Sequence, residues 1–307
     1  MTRIVVVGTG GVGGFLGGLL ARRHEGGSEV EVCFISRGKA LERIRREGLE
    51  VDTAEGVFTA RPAVATDDAS QTGTADYVLY CTKAYDVESG IRQIMPCIGP
   101  RTVIIPFLNG VDSYATIRRM LPQNEVWFGC VYVVAYIVEP GRIRERTNGY
   151  RYLYGSASAA PQRLRRLDEI FSAAGICARS YDDIEQRVWD KFGFISTVAS
   201  VTSYTDATYG EVLATPRYRE LLDRLLGEFR AVATACGAPL SPDMEEGVIA
   251  QMERIPPETT TSMQRDFRAR RPTEVESLTG HIVREGRRTG TDVAAYEMVY
   301  AGLLGRL

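Results

Sequence analysis

Ile4-Val5-Val6-Val7-Gly8-Thr9-Gly10-Gly11-Val12-Gly13 is the stretch that decides the fold of this 307-residue chain. Four consecutive β-branched residues predict a buried strand, and a helical pattern follows the glycines through Leu20. Strand, Gly-x-Gly-x-x-Gly turn and helix, in that order, form the context that a dinucleotide-binding turn requires. The alternative is a Gly-rich turn that binds no ligand.

Each position of this turn has a physical reason for its residue. Gly8 permits the tight turn, Gly10 lets the backbone approach a pyrophosphate, and Gly13 allows the helix to pack closely. Gly11 and Val12 stand at the predicted helix N-terminus, where backbone N–H groups bind phosphate. We therefore expect these five residues to bind the cofactor.

The end of the second strand predicts which dinucleotide binds. Val30–Ile35 is followed by Ser36-Arg37-Gly38-Lys39, where an NAD site usually places Asp or Glu for the ribose hydroxyls. A guanidinium pairs with a 2′-phosphate that a carboxylate would repel, so Arg37 favours NADP over NAD. Lys83, which follows the strand Tyr77–Cys81, is placed to reach the same phosphate or the adenine. The alternative for both residues is a solvated loop charge.

Short Val- and Ile-rich runs alternate with helical patterns in the first half of the chain, which indicates parallel βαβ units. The runs are Ile4–Val7, Val30–Ile35, Tyr77–Cys81, Val103–Pro106 and Val126–Val138. Long amphipathic stretches follow after Tyr181, over 183–203, 216–236, 241–254 and 273–290. We predict an α/β Rossmann domain with a doubly wound, mainly parallel sheet over residues 1–182, and an all-α domain over 183–307.

Composition argues against several classes of protein. With 37 basic and 39 acidic residues, the chain has no bulk charge that would attract nucleic acid or an anionic membrane. The longest apolar stretch, Trp127–Val138, is shorter than the roughly 20 residues of a membrane-spanning helix and is interpreted as buried strand. Six scattered cysteines and two histidines predict reduced thiols and no metal site. The balanced charge favours a small molecule as the ligand. Met1-Thr2-Arg3 leads directly into a strand, so we expect a cytoplasmic protein.

Two polar residues are candidates for catalysis. Asn109 follows the fourth strand, whose carboxyl end faces the ligand crevice of an open α/β sheet, although Asn109-Gly110 is equally a common turn. Lys191 shares one face of a predicted helix with Ile195 and Ala199, four and eight residues later. A lysine that extends its amine to solvent is the plainer interpretation of Lys191. The functional interpretation is a lysine that burial makes a better proton donor.

A third candidate region follows Ile255-Pro256-Pro257, which interrupts helix formation. Ser262 offers a loop hydroxyl there, and Glu274 offers a carboxylate at a helix start. Thr273 to Glu276 also fits a capping box, which is a purely structural explanation of this segment.

These elements, in this order, resemble the ketopantoate reductase family over nearly the whole chain. They are Gly8-x-Gly10-x-x-Gly13, Arg37, Thr82-Lys83-Ala84, Asn109-Gly110, Trp189-x-Lys191, and Ser262-Met263-x-x-Asp266 with Glu274. The resemblance implies NADPH-dependent reduction of a 2-oxo acid, ketopantoate, to pantoate in pantothenate biosynthesis. It also implies a possible homodimer.

The same resemblance assigns roles to individual residues. Lys191 would be the general acid, Glu274 would hydrogen-bond the reacting oxygen, and Ser262 would bind the substrate carboxylate. Asn109 would orient the nicotinamide and Lys191. Arg37 and Lys83 would bind the 2′-phosphate.

The chain departs from the family pattern at three substrate-side positions that are usually Asn, namely Ile195, Ala199 and Thr259. Amides expected to bind the hydroxyl of ketopantoate are therefore missing, and an apolar wall discriminates by only about 1–3 kcal/mol per methylene. We expect a more apolar 2-oxo acid, or a substrate held differently. Two alternatives stay open: an imine or another carbonyl acid as the substrate, and a non-catalytic NADPH-binding sensor.

Overall fold

The chain folds as two units in a computed structural model, which describes residues 1–147 and 149–307. Unit 1 is Met1–Leu108 with Ser113–Ile184, and unit 2 is Asn109–Asp112 with Glu185–Leu307. The loop that contains Asn109 therefore belongs to the same unit as Lys191.

Unit 1 combines strands and helices. Its strands are β1 (Thr2–Val7), β2 (Val30–Ile35), β3 (Leu49–Thr53), β4 (Gly56–Ala60), β5 (Val64–Thr66), β6 (Tyr77–Tyr80), β7 (Val103–Pro106), β8 (Glu125–Val126), β9 (Phe128–Tyr132), β10 (Ala135–Glu139), β11 (Arg142–Glu145), β12 (Arg151–Gly155) and β13 (Ala178–Ser180). Its α-helices are α1 (Gly11–His24), α2 (Gly38–Glu47), α3 (Val87–Ile94), α4 (Asp112–Met120) and α5 (Pro161–Ala173). Short 3-10 helices cover Ala69–Thr72, Ala84–Asp86 and Met95–Cys97.

The main sheet has the strand order β5-β2-β1-β6-β7-β8, and all of its strand pairs are parallel. Successive residues of β1 enter two different cores. Ile4 and Val6 pack in the core that includes α1, and Val5 and Val7 pack in the core that includes α3. Burial on both faces explains the unbroken apolar run of β1. The predicted doubly wound, mainly parallel sheet is confirmed.

Two smaller sheets have no counterpart in the prediction. Their strand orders are β10-β11-β3-β4 and β13-β12-β9. The first contains cross-strand ion pairs: Arg142 Nε lies 2.6 Å from a Glu50 carboxylate oxygen, and Arg144 Nε lies 2.8 Å from one of Asp52. Strands that carry charged pairs lack the apolar run from which the other strands were predicted.

The prediction of one buried strand over Val126–Val138 is wrong. The segment forms β8, β9 and β10, because the chain changes partners twice: β8 pairs with β7, β9 with β12, and β10 with β11. β10 is an edge strand, and the side chains of Tyr136 and Ile137 are 47% and 55% exposed. Apolar composition alone did not distinguish this exposed edge from a core strand.

Unit 2 is helical. Its helices are α6 (Ile184–Thr205), α7 (Tyr209–Ala214), α8 (Pro216–Ala235), α9 (Met244–Arg254), α10 (Ser262–Arg268), α11 (Val275–Thr289) and α12 (Ala294–Leu304). The four stretches predicted as helical correspond to α6, α8, α9 and α11, so the all-α prediction is confirmed. The short helices α7 and α10 and the C-terminal helix α12 were not predicted.

The predicted capping box at the start of α11 is wrong. Glu274 is the N-cap residue and makes no side-chain capping hydrogen bond. The carboxylate of Glu276 instead accepts hydrogen bonds from Arg284 at 2.9 Å and from the Tyr300 hydroxyl at 2.5 Å. Glu276 is therefore used to join α11 to α12.

Helix α12 begins at a cap that comes from a distant part of the chain. The carboxylate of Glu228, on α8, accepts hydrogen bonds from the backbone N–H groups of Ala295 at 2.8 Å and Tyr296 at 2.9 Å. A carboxylate at a helix N-terminus is favoured by the helix dipole. This cap lies 67 residues away in sequence, and the local contribution at the helix start is one hydrogen bond of 3.1 Å from the Ala294 N–H to the Asp292 side chain.

Within the described residues, none of the helices has both the length and the apolar composition needed to cross a membrane.

Replacing Glu228 with Ala should destabilise unit 2 by about 1–2 kcal/mol, because two N–H groups at the start of α12 lose their acceptor. Urea unfolding followed by circular dichroism measures the effect. Glu297→Ala is the matched control: Glu297 lies on α12 and pairs with the largely exposed Arg287, so its loss should cost well under about 1 kcal/mol. Equal losses in the two variants would contradict the capping role.

Candidate active site

The Gly-rich turn lies at the carboxyl end of β1 and is packed against the end of β6. Gly8 has φ +90°, a conformation that favours glycine, and a Cβ at this position would lie 3.0 Å from the Cys81 carbonyl oxygen. A Cβ on Gly13 would lie 2.0 Å from the Gly8 carbonyl oxygen and 2.7 Å from Cys81 Cβ. Neither residue tolerates a side chain without movement of the backbone. Burial raises the pKa of the Cys81 thiol, so Cys81 is neutral packing material here.

Gly10 differs from the other glycines of the turn. It is the N-cap of α1 in an extended conformation, and a Cβ built on it meets no atom within 4 Å. The next residues, Gly11, Val12 and Gly13, begin the helix, and the first N–H groups of a helix have no partner within it. The turn thus offers backbone donors beside open space, which fits a pyrophosphate.

A strand of the β10-β11-β3-β4 sheet leaves no room for a side chain at Gly11. A Cβ on Gly11 would lie 2.1 Å from the Ala135 carbonyl oxygen at the start of β10. The contact holds the edge strand β10 against the first turn of α1. Sequence analysis placed Gly11 at the helix start but had no means to detect this contact.

The loops on either side of the turn carry the predicted basic residues. β1 lies between β2 and β6 in the sheet, so Arg37 after β2 and Lys83 after β6 follow the two neighbours of β1. The side chains of Arg37 and Lys83 are exposed. A hydrogen bond of 2.6 Å between the buried hydroxyls of Thr9 and Ser36 ties the Gly-rich turn to the loop of Arg37. The arrangement is that of a nucleotide site at a topological switch point of an open α/β sheet.

Lys191 and Asn109, two of the candidate catalytic residues, contact each other. Lys191 Nζ donates a hydrogen bond of 3.3 Å to Asn109 Oδ1, although 82 residues separate them in sequence. Both side chains are half-buried. Two residues proposed on independent grounds are therefore in direct contact within unit 2.

An aromatic cluster holds the helix that carries Lys191. The ring centroids of Phe192 and Phe229 are 5.4 Å apart, and those of Trp189 and Phe192 are 5.8 Å apart. A Cβ on Gly193 would lie 2.9 Å from Met244 Sδ. The close approach of α8 and α9 to this turn of α6 fixes the direction in which Lys191 leaves the helix.

Glu274 and the loop of Asn109 both lie close to the first turn of α11. Glu274 is 4% exposed, and its carboxylate stands at the N-terminus of that helix. Gly110, with φ +85°, packs nearby: a Cβ there would lie 3.4 Å from the Ser277 carbonyl oxygen and 3.9 Å from Phe192. The turn after Asn109 therefore rests on both α6 and α11.

Ser262 and Thr259 lie in the segment after the Pro-Pro interruption. Ser262 is the first residue of α10 and not a loop residue as predicted, because Thr261 caps the helix by accepting a hydrogen bond of 3.2 Å from the Gln264 N–H. The Thr259 carbonyl oxygen accepts a hydrogen bond of 3.0 Å from the Tyr209 N–H at the start of α7. Both residues are half-buried.

A seam of buried hydroxyl groups joins α6 to the helices that carry Ser262 and Glu274. Thr202 Oγ1 donates to the Val198 carbonyl oxygen at 2.7 Å, so the 3.0 Å contact with Thr261 requires Thr261 to be the donor. Ser200 and Thr279, both 0% exposed, share a hydrogen bond of 2.8 Å between α6 and α11. This seam was not predicted, although the density of Ser and Thr between 196 and 205 was a usable signal.

The two predicted wall residues on α6 differ in their surroundings. Ile195 is half-buried, whereas Ala199 is 1% exposed and is covered by the protein. No group of three or more His, Cys, Asp or Glu side chains in the described part of the chain is arranged to hold a metal ion.

A parallel sheet with a dinucleotide turn, together with a helical unit that carries a lysine-amide pair, defines the class of nicotinamide-dependent oxidoreductases. Comparison with known proteins gives the family. The model of ketopantoate reductase PanE/ApbA matches residues 4–157, and the model of its C-terminal part matches residues 183–306. The chain belongs to the ketopantoate reductase family, and it is an oxidoreductase whose cofactor is a nicotinamide dinucleotide.

Individual relatives resemble the chain over almost its whole length. The uncharacterized oxidoreductase YkpB of Bacillus subtilis is 30% identical over 98% of this chain and 97% of its own length. The 2-dehydropantoate 2-reductase of Caulobacter vibrioides is 30% identical over 98% of each chain. The crystal structure of 2-dehydropantoate 2-reductase from Porphyromonas gingivalis has a TM-score of 0.87 and 35% identity, over 99% of each chain.

Gly10→Ala should leave folding intact and weaken NADPH binding, because its Cβ meets only the space in which the turn approaches a pyrophosphate. We expect the Kd, from fluorescence titration, to rise about tenfold or more. Gly227→Ala on α8, where a Cβ also meets nothing within 4 Å, is the control and should bind as wild type. An unchanged Kd in Gly10→Ala would place the nucleotide elsewhere.

Thr202→Val should cost about 1–3 kcal/mol in the free energy of unfolding, because the buried Thr261 hydroxyl loses its acceptor. Thr197→Val is the matched control, since Thr197 is equally buried but its hydroxyl donates to backbone within α6, to Gly193 O at 2.7 Å. We expect the control to lose no more than about 1 kcal/mol in urea unfolding. Equal free energies of unfolding in the two variants would show that the hydrogen bond between Thr261 and Thr202 does not stabilise the fold.

Proposed function

We propose that this chain reduces the keto group of a small 2-oxo acid to the 2-hydroxy acid with NADPH. The observation that carries the proposal is the hydrogen bond of 3.3 Å between Lys191 Nζ and Asn109 Oδ1. An ammonium held in one orientation by a side-chain amide is suited to give a proton to a developing alkoxide. The relatives named 2-dehydropantoate 2-reductase support the substrate class.

The use of lysine in this chain supports a chemical role for Lys191. Of the 37 basic residues, Lys39, Lys83 and Lys191 are the three lysines, and the remaining 34 (37 − 3) are arginines. Arginine keeps its proton at any physiological pH, whereas a lysine ammonium is able to release one. Of the three lysines, Lys191 is the one that contacts Asn109, so the residue proposed as the proton donor is of a type able to release a proton.

The reaction divides into hydride transfer and proton transfer. When bound, the dinucleotide supplies the hydride that reduces C2 of the oxo acid. Lys191 gives its proton to the carbonyl oxygen, which becomes the hydroxyl, and Asn109 keeps the ammonium directed by accepting one of its three hydrogens. We assign hydrogen bonding of the reacting oxygen to Glu274, and binding of the substrate carboxylate to the Ser262 hydroxyl and the segment of Thr259.

The choice of NADPH rests on charge. Arg37 and Lys83 follow the two strands that flank β1, and both are exposed. A guanidinium and an ammonium at this end of the turn favour a 2′-phosphate over a ribose hydroxyl. Gly8, Gly10, Gly11, Val12 and Gly13 supply the turn for the pyrophosphate.

We infer that the preferred acid is more apolar than ketopantoate, because the half-buried Ile195 stands where the family pattern has an amide able to bind a hydroxyl, and the covered Ala199 offers no hydrogen-bonding group either. NADPH oxidation at 340 nm against ketopantoate, 2-oxoisovalerate, pyruvate and phenylpyruvate tests this inference. We expect kcat/KM for 2-oxoisovalerate to equal or exceed that for ketopantoate. A preference for ketopantoate by several orders of magnitude would contradict it, and absence of turnover despite NADPH binding would favour a sensor.

Lys191→Ala should reduce kcat by about 10²- to 10⁴-fold while leaving the Kd for NADPH within about twofold of wild type, because proton transfer is lost and the Gly-rich turn is unchanged. Lys191→Arg separates charge from proton donation: it keeps a cation near Asn109 but should remain at least about a hundredfold slower. Full activity in Lys191→Arg would show that positive charge alone is required.

A further inference from the structure

An ion pair spans the carboxyl end of β1. Arg37 Nη2 lies 3.7 Å from Asp86 Oδ2. Arg37 follows β2, Asp86 ends the 3-10 helix that follows β6, and β2 and β6 are the two neighbours of β1. The pair therefore joins the loops on both sides of the strand that leads into the Gly-rich turn.

The geometry leaves the guanidinium available to a ligand. The distance of 3.7 Å exceeds the roughly 2.7–2.9 Å of a charge-assisted hydrogen bond, and 65% of the Arg37 side chain is exposed. Among the described residues, Asp86 is the acidic partner within ion-pair distance of Arg37. A loose, solvated pair of this kind contributes little stability and is readily rearranged.

The carboxylate, in contrast, is attached to a fixed backbone. The Asp86 N–H donates to the Lys83 carbonyl oxygen at 2.9 Å, and the Asp86 carbonyl oxygen accepts from the Tyr80 hydroxyl at 3.3 Å. Tyr80 is 0% exposed, and burial raises its pKa to about 12, so its hydroxyl stays protonated and able to donate. A Cβ on Gly90 would lie 2.0 Å from that hydroxyl oxygen, which shows how closely the following helix packs on it.

A nucleotide that uses Arg37 must therefore lie near a fixed negative charge. A 2′-phosphate gains the attraction of the guanidinium but is repelled by the carboxylate, and it must also compete with Asp86 for the same donors. A ribose 2′-hydroxyl is attracted by both residues, because it donates a hydrogen bond to a carboxylate and accepts one from a guanidinium. Arg37 and Asp86 act in opposite directions on the choice between the two dinucleotides.

We propose that Asp86 is a specificity-determining residue that narrows the preference for NADPH, so that the chain binds NADH as well. This inference rests on the proposed nicotinamide site. There Arg37 favours the 2′-phosphate, and Asp86, of opposite charge, acts against it. Wild type should bind NADPH more tightly than NADH, but by less than about a hundredfold.

Fluorescence titration of the whole chain with NADPH and with NADH, without substrate, tests the proposal. Asp86→Asn keeps the shape of the side chain and removes its charge. We expect this substitution to lower the Kd for NADPH about tenfold and to leave the Kd for NADH unchanged or raised. The ratio of the Kd for NADH to the Kd for NADPH should therefore increase at least about tenfold. Asp86→Ser removes the same charge with a different side chain and should shift the ratio in the same direction.

Glu88→Gln is the matched control. Glu88 lies two residues further along the chain, in the first turn of α3, and its carboxylate pairs with Arg92 and Arg119. We expect its Kd ratio to equal that of wild type, with all variants melting at the wild-type temperature.

Three results would overturn the proposal: an unchanged ratio in both Asp86 variants, an equal shift in Glu88→Gln, or a wild-type preference for NADPH above about a hundredfold. Failure of wild type to bind either dinucleotide would overturn the proposed function together with it. That result is distinguishable, because in the first three cases NADPH still binds.

Discussion

The absence of a side chain at Gly13 is the constraint on which the Gly-rich turn of unit 1 depends. Because the Gly8 carbonyl oxygen lies 2.0 Å from where a Cβ would stand, α1 packs directly on the turn and on the end of β6. That contact sets the position of the helix N-terminus relative to β1, and thereby the backbone donors that we propose bind a pyrophosphate. The positions of the loops bearing Arg37, Lys83 and Asp86 follow from the order of strands around β1.

In unit 2, buried hydrogen bonds between helices position the candidate residues. Its candidate residues come from α6, α10, α11 and the loop of Asn109, and buried hydroxyl pairs join α6 to α10 and α11. Such pairs have defined donors and acceptors, so they specify one register of helix against helix as apolar packing alone does not. The same helix α6 carries Lys191, which contacts Asn109.

Much of the fold was predictable because burial on two faces leaves strong signals. The unbroken apolar run of β1, the spacing of the glycines and the amphipathic stretches of unit 2 all led to the observed elements. The failures have physical causes: the apolar segment after Trp127 changes strand partners, α12 is capped by the distant Glu228, and strands joined by ion pairs lack an apolar pattern. Of the candidate site, Lys191 and Asn109 were brought into contact as the family resemblance implied. The hydroxyl seam and the partner of Arg37 depend on tertiary contacts that no local motif encodes, and the homodimer and the cytoplasmic location stay predictions.

We propose that this chain transfers a hydride from a nicotinamide to C2 of a 2-oxo acid. The most direct measurement uses NADPH deuterated at C4 of the nicotinamide, in separate reactions for each face, with 2-oxoisovalerate as substrate and mass spectrometry of the product. We expect a 2-hydroxy acid that carries one deuterium at C2 when one of the two faces is labelled, and none when the other is labelled. A chain that binds NADPH but yields no hydroxy acid from 2-oxoisovalerate, ketopantoate, pyruvate or phenylpyruvate would contradict the claim.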